Sequence, residues 1–267
     1  MVLFWILFAV ALVFSAIGFK KYVWFISIGY GFSVAAIGIA LLIAAGLGGH
    51  MDPGIAFACV LFVAYGCRLG GYLAFRELRS GSTYNEKMKT EIKSGDGMPL
   101  VAKCAIWISA ALLYAAETAP MAFRISSGAG TDAVLIVGLV ISVIGLIVET
   151  TADLQKNAAK KVNPRRFVDT GLFRIVRCPN YFGEMLFWTG VFVGGIPIYS
   201  GAVEWIVALL GYLGIIYVMF GGARRLEIRQ NKSYGNDPEY QHYVATTPIM
   251  IPLIPLYSVE KYKWLVA

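Results

Sequence analysis

The chain has 267 residues, of which 58% are hydrophobic and 15% are charged, and its formal net charge is +7. A basic protein can bind nucleic acid, but here most Lys and Arg residues lie between long apolar segments. In that position they serve membrane orientation and contact with anionic lipid headgroups. We therefore expect a membrane protein that contacts lipids and has no nucleic-acid partner.

The apolar residues gather into seven segments of about twenty residues, the length of a helix that crosses the hydrocarbon core. These segments are 2–18, 22–46, 54–75, 101–123, 131–152, 181–200 and 203–222. The first lacks a basic region and a small-residue cleavage site, so we interpret it as a retained span rather than a signal peptide. The sequence predicts an all-α, polytopic membrane protein with seven transmembrane helices and a single domain over residues 1–267.

Nearly all the basic residues lie on alternate connections between these segments. The exceptions are Arg68, inside the third span, and Arg124, on an opposite connection. Because basic loops stay in the cytoplasm, we expect the N-terminus outside and the C-terminus inside. The loops 76–100 and 153–180 and the tail 223–267 would then be cytoplasmic, and any chemistry would use this face.

The polar segments carry signals for short elements. Segment 76–100 is typical of a surface loop with a short helix. The tail predicts a charged helix, a turn at residues 235–238 and a second short helix. Beyond that helix, Tyr257, Tyr262 and Trp264 are expected at the level of the lipid headgroups.

Several common kinds of site are not indicated. The chain has no H-E-x-x-H or G-x-x-x-x-G-K-[ST] motif, and its only histidines are His50 and His242. Cys59 and Cys67 lie eight residues apart in one helix, about 12 Å along its axis, which is too far for a disulfide. We expect no metal centre, no P-loop and no disulfide.

Ionisable residues inside a span are costly, which makes them candidates for function. Glu149 and Asp153 are four residues apart at the inner end of the fifth span, so they share one helical face. Two carboxylates there repel each other unless a cation or a hydrogen-bond donor lies between them. Either Lys156 and Lys160 neutralise them, or they bind a ligand.

The segment GLFRIVRCPNYFGE, residues 171–184, leads into the sixth span. This span enters from the basic side, so its free N–H groups and the positive end of its dipole favour an anion. Asn180 and Glu184 lie on the first turns, where Glu184 suits an amide donor such as a nicotinamide carboxamide. Nearby cations are Lys160, Arg165, Arg166, Arg174 and Arg177. A ligand with a pyrophosphate explains their density, although each one alone fits membrane orientation equally well.

In the third span, Tyr65 and Arg68 are one helical turn apart. Tyr65 lies about 15 Å deep and Glu184 about 6 Å, so the gap would hold a nicotinamide ring and a planar substrate. A tyrosine in mid-span is also often only packed, and Tyr30 in the second span is a weaker candidate of the same kind. The spacings Gly66-x-x-x-Gly70 and Gly190-x-x-x-Gly194 predict close helix packing.

Taken together, these motifs resemble the steroid 5α-reductase family, especially its bacterial members. The wider superfamily includes sterol reductases and isoprenylcysteine carboxyl methyltransferases. The resemblance runs from about Tyr65 to Pro252 and is strongest in ETTADLQKNAAKK, GLFRIVRCPNYFGE and the tail residues RRLE, EYQHY and TP. It implies an integral protein of the bacterial inner membrane that binds NADPH from the cytoplasm. The implied activity is reduction of a carbon–carbon double bond conjugated to the ketone of an apolar substrate, such as a 3-oxo-steroid.

The resemblance also implies roles for individual residues. Tyr65 matches a tyrosine that donates a hydrogen bond to the substrate ketone, and the cofactor contacts carried over are Asp153, Lys160, Arg166, Asn180 and Glu184. Beyond the resemblance, we expect Arg68 to act with Tyr65 as its neighbour one turn away. The further residues that we expect at the cofactor are Glu149, Arg174, Arg177, Tyr181, Arg224, Arg225 and Tyr240. The sequence departs from the family in four places, of which one is Lys160, which replaces an Arg. Cys178 replaces a common His, Glu149 stands where an Asn is expected, and the second span has no Gln-Glu pair.

Two other functions remain open at this stage. A methyltransferase that uses S-adenosylmethionine would share the element Pro179–Gly183 together with Glu227 and Tyr240, but its cofactor carries no phosphate for the basic cluster to bind. A lipid-binding or transport bundle predicts polar groups at the midplane and internal repeats, and neither is evident. The reductase interpretation explains the basic cluster best. The sequence does not indicate an oligomeric state.

Overall fold

The computed structural model describes residues 1–79 and 97–266, and the regular structure in these ranges is helical. The α-helices are α1 (Val2–Ser15), α2 (Ile28–Leu47), α3 (Pro53–Arg79), α4 (Leu100–Ser127), α5 (Ala133–Val162), α6 (Pro179–Gly195), α7 (Ala202–Tyr234) and α8 (Pro238–Thr246). Short 3₁₀ segments are Ala16–Phe19, Tyr22–Ile26, Gly171–Arg174 and Ile196–Ile198.

Seven helical segments within the described residues are long and apolar enough to cross a membrane. They are Val2–Phe19, Tyr22–Leu47, Pro53–Glu77, Leu100–Ser127, Ala133–Val162, Pro179–Ile198 and Ala202–Tyr234. The predicted all-α fold with seven transmembrane helices is confirmed, and the chain is a multi-pass integral membrane protein. Most of the predicted loop 76–100, including its short helix, lies outside the described residues.

Two helices extend well beyond the ends of their apolar segments. The fifth apolar segment was predicted to end at residue 152, but its helix continues to Val162. The seventh apolar segment ends at residue 222, and its helix continues without a break to Tyr234, so the charged helix predicted for the tail is part of it. Hydropathy marks where a helix leaves the lipid, whereas its end depends on local backbone signals. Gly235 directly follows the end of α7, and its amide bonds to the Asn231 carbonyl over 2.8 Å.

The predicted turn and second short helix of the tail are confirmed. Helix α8 begins at Pro238, and the side chain of Asp237 caps it by accepting a 2.9 Å hydrogen bond from the amide of Glu239. Proline suits this first helical position because no intrahelical partner exists there for an N–H group.

The described residues group into two compact units. The first contains Met1–Val137 and Val191–Gly211, and the second contains Gly138–Gly190 and Tyr212–Ala267. Helices α5, α6 and α7 each contribute residues to both units. The expectation of a single domain stays a prediction.

In the first unit, helices α2 and α3 meet backbone to backbone. A Cβ atom added at Gly66 would lie 2.3 Å from the carbonyl oxygen of Gly31, and one added at Gly31 would lie 2.4 Å from the amide nitrogen of Gly70. A Cβ at Gly38 would lie 2.8 Å from the carbonyl oxygen of Cys59. No side chain fits in this contact, which confirms the close packing predicted from the Gly66–Gly70 spacing.

Polar contacts at one end of the first unit hold the loop after α4, and Asp52 joins this loop to the loop before α3. The Arg124 side chain is fully buried, donates to the carbonyl oxygen of Gly194 over 2.8 Å and pairs with Asp132 at 2.8 Å. Asp52 accepts a 2.6 Å hydrogen bond from the Thr131 hydroxyl. Partial burial raises the pKa of Asp52, but the hydrogen bonds that it accepts outweigh this effect, so the pKa of this carboxyl lies below its usual value.

In the second unit, helices α5 and α6 approach each other in the same way. A Cβ atom at Gly183 would lie 2.6 Å from the amide nitrogen of Glu149, and one at Gly190 would lie 2.2 Å from the carbonyl oxygen of Gly138. The Ser142 hydroxyl crosses the contact and donates to the carbonyl oxygen of Phe187 over 2.8 Å. Close packing at Gly190, predicted from the sequence, is therefore confirmed.

We expect the α2–α3 contact to distinguish two glycines of the same helix. A Gly66→Ala substitution forces the backbones apart, since overpacking costs about 1–3 kcal/mol, and should lower the Tm in detergent by roughly 3–10 °C. The matched control is Gly71→Ala, because an added Cβ there meets no atom within 4 Å. Circular dichroism during heating measures both variants. Equal Tm values for the two would contradict the contact.

Candidate functional site

The segment before α6 is held by the tail. The amide of Arg177 donates to the carbonyl oxygen of Pro248 and the amide of Cys178 donates to that of Ile249, each over 2.9 Å. Helix α6 then begins at Pro179, and the amide of Phe182 closes the first turn on the Cys178 carbonyl. These two hydrogen bonds to the tail therefore fix the position of the backbone where α6 begins. The predicted site residues lie on the first turns of this helix.

The predicted carboxylates lie along the α5–α6 contact. Gly183 contacts the backbone of Glu149, and Glu184 directly follows Gly183 in the chain. Both glutamates therefore lie at the same helix contact. Both side chains are buried, and Asp153, one turn further along α5, is half-buried. The structure thus brings these three predicted residues to one region of the second unit. Asn180 and Tyr181 are half-buried on the first turn of α6.

Among the predicted cations, Arg177 has an internal role. Its side chain is buried, and Nη2 donates to Oε1 of Glu227 over 2.8 Å and also to the carbonyl oxygen of Tyr257. The second carboxylate oxygen of Glu227 accepts the amides of Val259 and Glu260 over 2.8 and 2.9 Å. Glu227 therefore joins the start of α6, helix α7 and the tail, and the described contacts of Arg177 are structural.

Lys160 and Arg166 also have partners within the second unit. The Lys160 ammonium donates to the carbonyl oxygens of Pro164 and Arg166 and to the Tyr234 hydroxyl, the last over 3.1 Å. Arg166 pairs with Glu239 and, over 2.8 Å, with Asp169. Hydrogen bonds to Glu239 and Asp169 raise the pKa of Arg166. These contacts hold the loop between α5 and α6 against α7 and α8.

Arg224 and Tyr240 contribute to the same framework. Arg224 donates through Nε to the carbonyl oxygen of Glu260 over 2.9 Å, which binds the tail to α7. The Tyr240 side chain is buried, its hydroxyl donates to Asn231 over 2.7 Å and its ring contacts Phe167. Burial raises the pKa of Tyr240 to about 12, so its hydroxyl stays protonated at neutral pH.

The remaining predicted cations are exposed. Arg174 and Arg225 have no side-chain partner among residues 1–79 and 97–266, and the same holds for Arg229, one turn after Arg225 on α7. Arg225 and Arg229 lie within electrostatic range of Tyr181. A Cβ added at Gly222 of α7 would lie 3.4 Å from the Tyr181 ring, so this face of α7 borders the start of α6.

Arg229 is the candidate that the sequence-based selection of site residues missed. Its distance of four residues from Arg225 places the two guanidinium groups on one helical face, which was the available signal. Two exposed arginines at this spacing can bind one anion together, since guanidinium groups bind phosphate oxygens in a bidentate fashion. The candidate cofactor site therefore combines Arg225 and Arg229, which lie near Tyr181, with Asn180 and Glu184 on the same first turns of α6.

The predicted ketone-binding residues belong to the first unit. Tyr65 is fully buried on α3 and its hydroxyl donates to that of Tyr30 on α2 over 3.0 Å. Arg68 follows one turn later on α3 and is half-buried. The Tyr30 ring contacts that of Tyr114, with centroids 4.8 Å apart, and the Tyr114 hydroxyl donates to the carbonyl oxygen of Phe25 over 2.8 Å.

Cysteines and metal ligands add no further site in the described parts of the chain. All four cysteines are free thiols, and Cys178 is buried directly before α6. Burial raises the pKa of Cys178 to about 12, so it remains a neutral thiol near neutral pH. Within the described ranges, no group of three or more His, Cys, Asp or Glu side chains is arranged to hold a metal ion.

One protein family matches residues 8–247, and it is described as Protein of unknown function (DUF1295). The match begins within the first span and contains the other six spans and α8. The chain belongs to this family. The DUF1295 family is related to steroid 5α-reductase-like membrane proteins. No curated protein matches the chain, and no solved structure does. The tail residues that bind Arg177 and Glu227, from Pro248 onward, lie beyond the DUF1295 match.

We expect a Glu227→Ala substitution to release the tail and expose Cys178. Removing this carboxylate leaves the buried charge of Arg177 without its partner, which costs about 3–5 kcal/mol. The readout is alkylation of Cys178 by N-ethylmaleimide in a protein whose other cysteines are serine, followed by mass spectrometry. Labelling should be slow in the parent and at least about tenfold faster in the variant.

The matched control is Glu239→Ala, which removes a carboxylate from an exposed pair. Exposed pairs contribute about 0–1 kcal/mol, so its labelling rate should stay within about fivefold of the parent rate. Rapid labelling of the parent, or a Glu227→Ala rate equal to the control, would show that this carboxylate does not hold the tail.

Proposed function

We propose that this protein is an NADPH-dependent reductase that reduces a carbon–carbon double bond conjugated to the ketone of an apolar substrate. The observation that carries the proposal is the pair of exposed guanidinium groups, Arg225 and Arg229, beside the start of α6. Lys160, Arg166 and Arg177 bind partners within the second unit. Arg225 and Arg229 have no side-chain partner in the described residues and, unlike the equally exposed Arg174, lie four residues apart on one helical face. A dinucleotide phosphate is the ligand that suits this pair best.

The chemistry of the neighbouring donor set fits the rest of the cofactor. Asn180 offers both a donor and an acceptor, and the Glu184 carboxylate accepts hydrogen bonds, which suits the N–H groups of a nicotinamide carboxamide. Asp153 suits a ribose hydroxyl for the same reason. S-adenosylmethionine, the cofactor of a methyltransferase, carries no phosphate group. It would therefore offer no anion for Arg225 and Arg229 to bind.

A bound NADPH would supply a hydride to the β-carbon of the substrate. The electron pair of the double bond then moves towards the carbonyl oxygen and forms an enolate, and a proton from water completes the product at the α-carbon. Tyr65 would donate a hydrogen bond to this oxygen, where negative charge grows, and Arg68 would add positive charge one turn away. Stabilisation of this kind contributes about 100- to 1,000-fold to the rate per donor.

We also propose that the basic loops and the C-terminus lie in the cytoplasm of a bacterial cell and the N-terminus outside the inner membrane. The distribution of Lys and Arg supports this orientation. The candidate cofactor site would then face the cytoplasmic pool of NADPH. An apolar substrate would enter from the bilayer.

Ligand-dependent thermal stability of the detergent-purified protein tests the proposal. At about 100 times its Kd, NADPH should stabilise the parent by about 2.7 kcal/mol. An Arg225→Ala/Arg229→Ala variant should bind NADPH at least about tenfold more weakly, because each charge-assisted hydrogen bond contributes about 1.5–3 kcal/mol. An Asn180→Ala/Glu184→Ala variant tests the nicotinamide end in the same assay.

The matched control is Lys261→Ala, which removes an exposed cation of the tail and should bind NADPH like the parent. S-adenosylmethionine and NADH serve as competing ligands. Stabilisation by S-adenosylmethionine alone would support a methyltransferase instead, and no response to any of the three would contradict a nucleotide site.

A further inference from the structure

A pair of tyrosine hydroxyls lies in the apolar interior of the first unit. The Tyr65 side chain is completely buried, that of Tyr30 is 5% exposed, and their oxygens are 3.0 Å apart. Their rings meet edge to face, with centroids 6.2 Å apart and an interplanar angle of 73°. The two hydroxyls thus form a hydrogen bond between α2 and α3 in a region of low polarity.

The α2–α3 contact fixes the positions of both tyrosines. Gly31 directly follows Tyr30, Gly66 directly follows Tyr65, and these two glycines are themselves in backbone contact. Because no side chain separates the helices there, neither helix can rotate without a backbone clash. The backbone positions from which the two tyrosine side chains extend are therefore set by the helix pair.

The other hydroxyl groups nearby are directed elsewhere. On α2, the hydroxyl of Ser33 donates to the carbonyl oxygen of Ala11, and that of Ser27, just before the helix, donates to the carbonyl oxygen of Val23. The Tyr114 hydroxyl donates to the carbonyl oxygen of Phe25, although its ring touches that of Tyr30. Tyr30 is thus the described α2 side chain whose hydroxyl meets Tyr65.

We propose that Tyr30 is a positioning residue that acts on the substrate ketone through Tyr65. A hydroxyl has one hydrogen to donate and two lone pairs to accept with. When the Tyr65 O–H points at a carbonyl oxygen, the Tyr65 oxygen accepts from Tyr30, so the two hydroxyls act in series. This arrangement fixes the direction of the Tyr65 donor and strengthens it, because hydrogen bonds in a chain polarise one another.

The inference rests on the proposed function for the chemical class of the ligand, a conjugated ketone. Hydroxyl hydrogens rotate, so the present bond from Tyr65 to Tyr30 reverses its direction when a ketone binds. The competing explanation is that the hydrogen bond between the two hydroxyls serves only the stability of an apolar interior. A measurement on the bound carbonyl group distinguishes the two explanations without any turnover.

The experiment records the infrared carbonyl stretch of a 3-oxo-4-ene steroid, labelled with ¹³C at the carbonyl, bound to the detergent-purified protein without nucleotide. A linear enone with the same label is the second probe. In the parent, a hydrogen bond from Tyr65 should move the stretch to lower wavenumber than in an apolar solvent. Tyr65→Phe should abolish most of this shift, and Tyr30→Phe should reduce it by roughly 10–30%.

The double variant Tyr30→Phe/Tyr65→Phe should equal Tyr65→Phe alone, because the two hydroxyls act in series. Tyr114→Phe is the matched control. It removes a buried hydroxyl from the same ring cluster, lowers stability and should leave the carbonyl shift at the parent value. If Tyr30→Phe fails to fold, 3-fluorotyrosine at position 30 replaces it. The more acidic phenol donates more strongly, so the shift should increase.

A carbonyl shift that is absent in the parent with both probes, or that is unchanged by both substitutions at position 30, would overturn the inference. NADPH binding measured on the same samples separates this failure from failure of the reductase proposal. Intact NADPH binding with no dependence on Tyr30 overturns only the Tyr30 role. The full carbonyl pattern without NADPH binding supports the tyrosine pair and contradicts the reductase.

Discussion

The structure depends most on helix contacts that leave no room for a side chain. Lipid provides little hydrophobic drive for helices to associate, so close van der Waals packing at small residues takes that role. In each unit, such a contact lies next to a proposed functional residue: Gly66 follows Tyr65, and Gly183 precedes Glu184. The glycines that join the helices thereby also determine the rotation at which these polar side chains are presented.

A second constraint is the buried carboxylate of Glu227, which binds one guanidinium group and two backbone amides. A buried charge is tolerated only when its oxygens are fully bonded. The tail supplies both amides, and it also pairs with the backbone just before α6. The position of the α6 N-terminus therefore depends on a segment about seventy residues further along the chain. Basic residues in this protein thus divide between internal contacts, as at Arg177, and the exposed positions Arg225 and Arg229, which we propose bind the cofactor phosphates.

Much of this organisation was predictable from the sequence, and the rest depended on tertiary contacts. The seven spans follow from apolar length, the turn and helix of the tail from Gly235 and Pro238, and the close contacts from small-residue spacing. Which cations are buried in internal contacts was not predictable. In the sequence, Arg177 does not differ from an exposed arginine such as Arg225, because its partners Glu227 and Tyr257 are distant in the chain. The extension of α5 to Val162 was missed because hydropathy carries no signal beyond the lipid.

The central claim is that the protein transfers hydride from a nicotinamide to an enone, and isotope transfer tests it most directly. The purified protein is incubated with a conjugated enone and NADPH that carries deuterium at the transferable position of nicotinamide C4, and the product is analysed by mass spectrometry. The account predicts one deuterium at the β-carbon from NADPH and, in deuterated water, one at the α-carbon from solvent. A product without nicotinamide deuterium, or methyl transfer from S-adenosylmethionine in the parallel reaction, would contradict it.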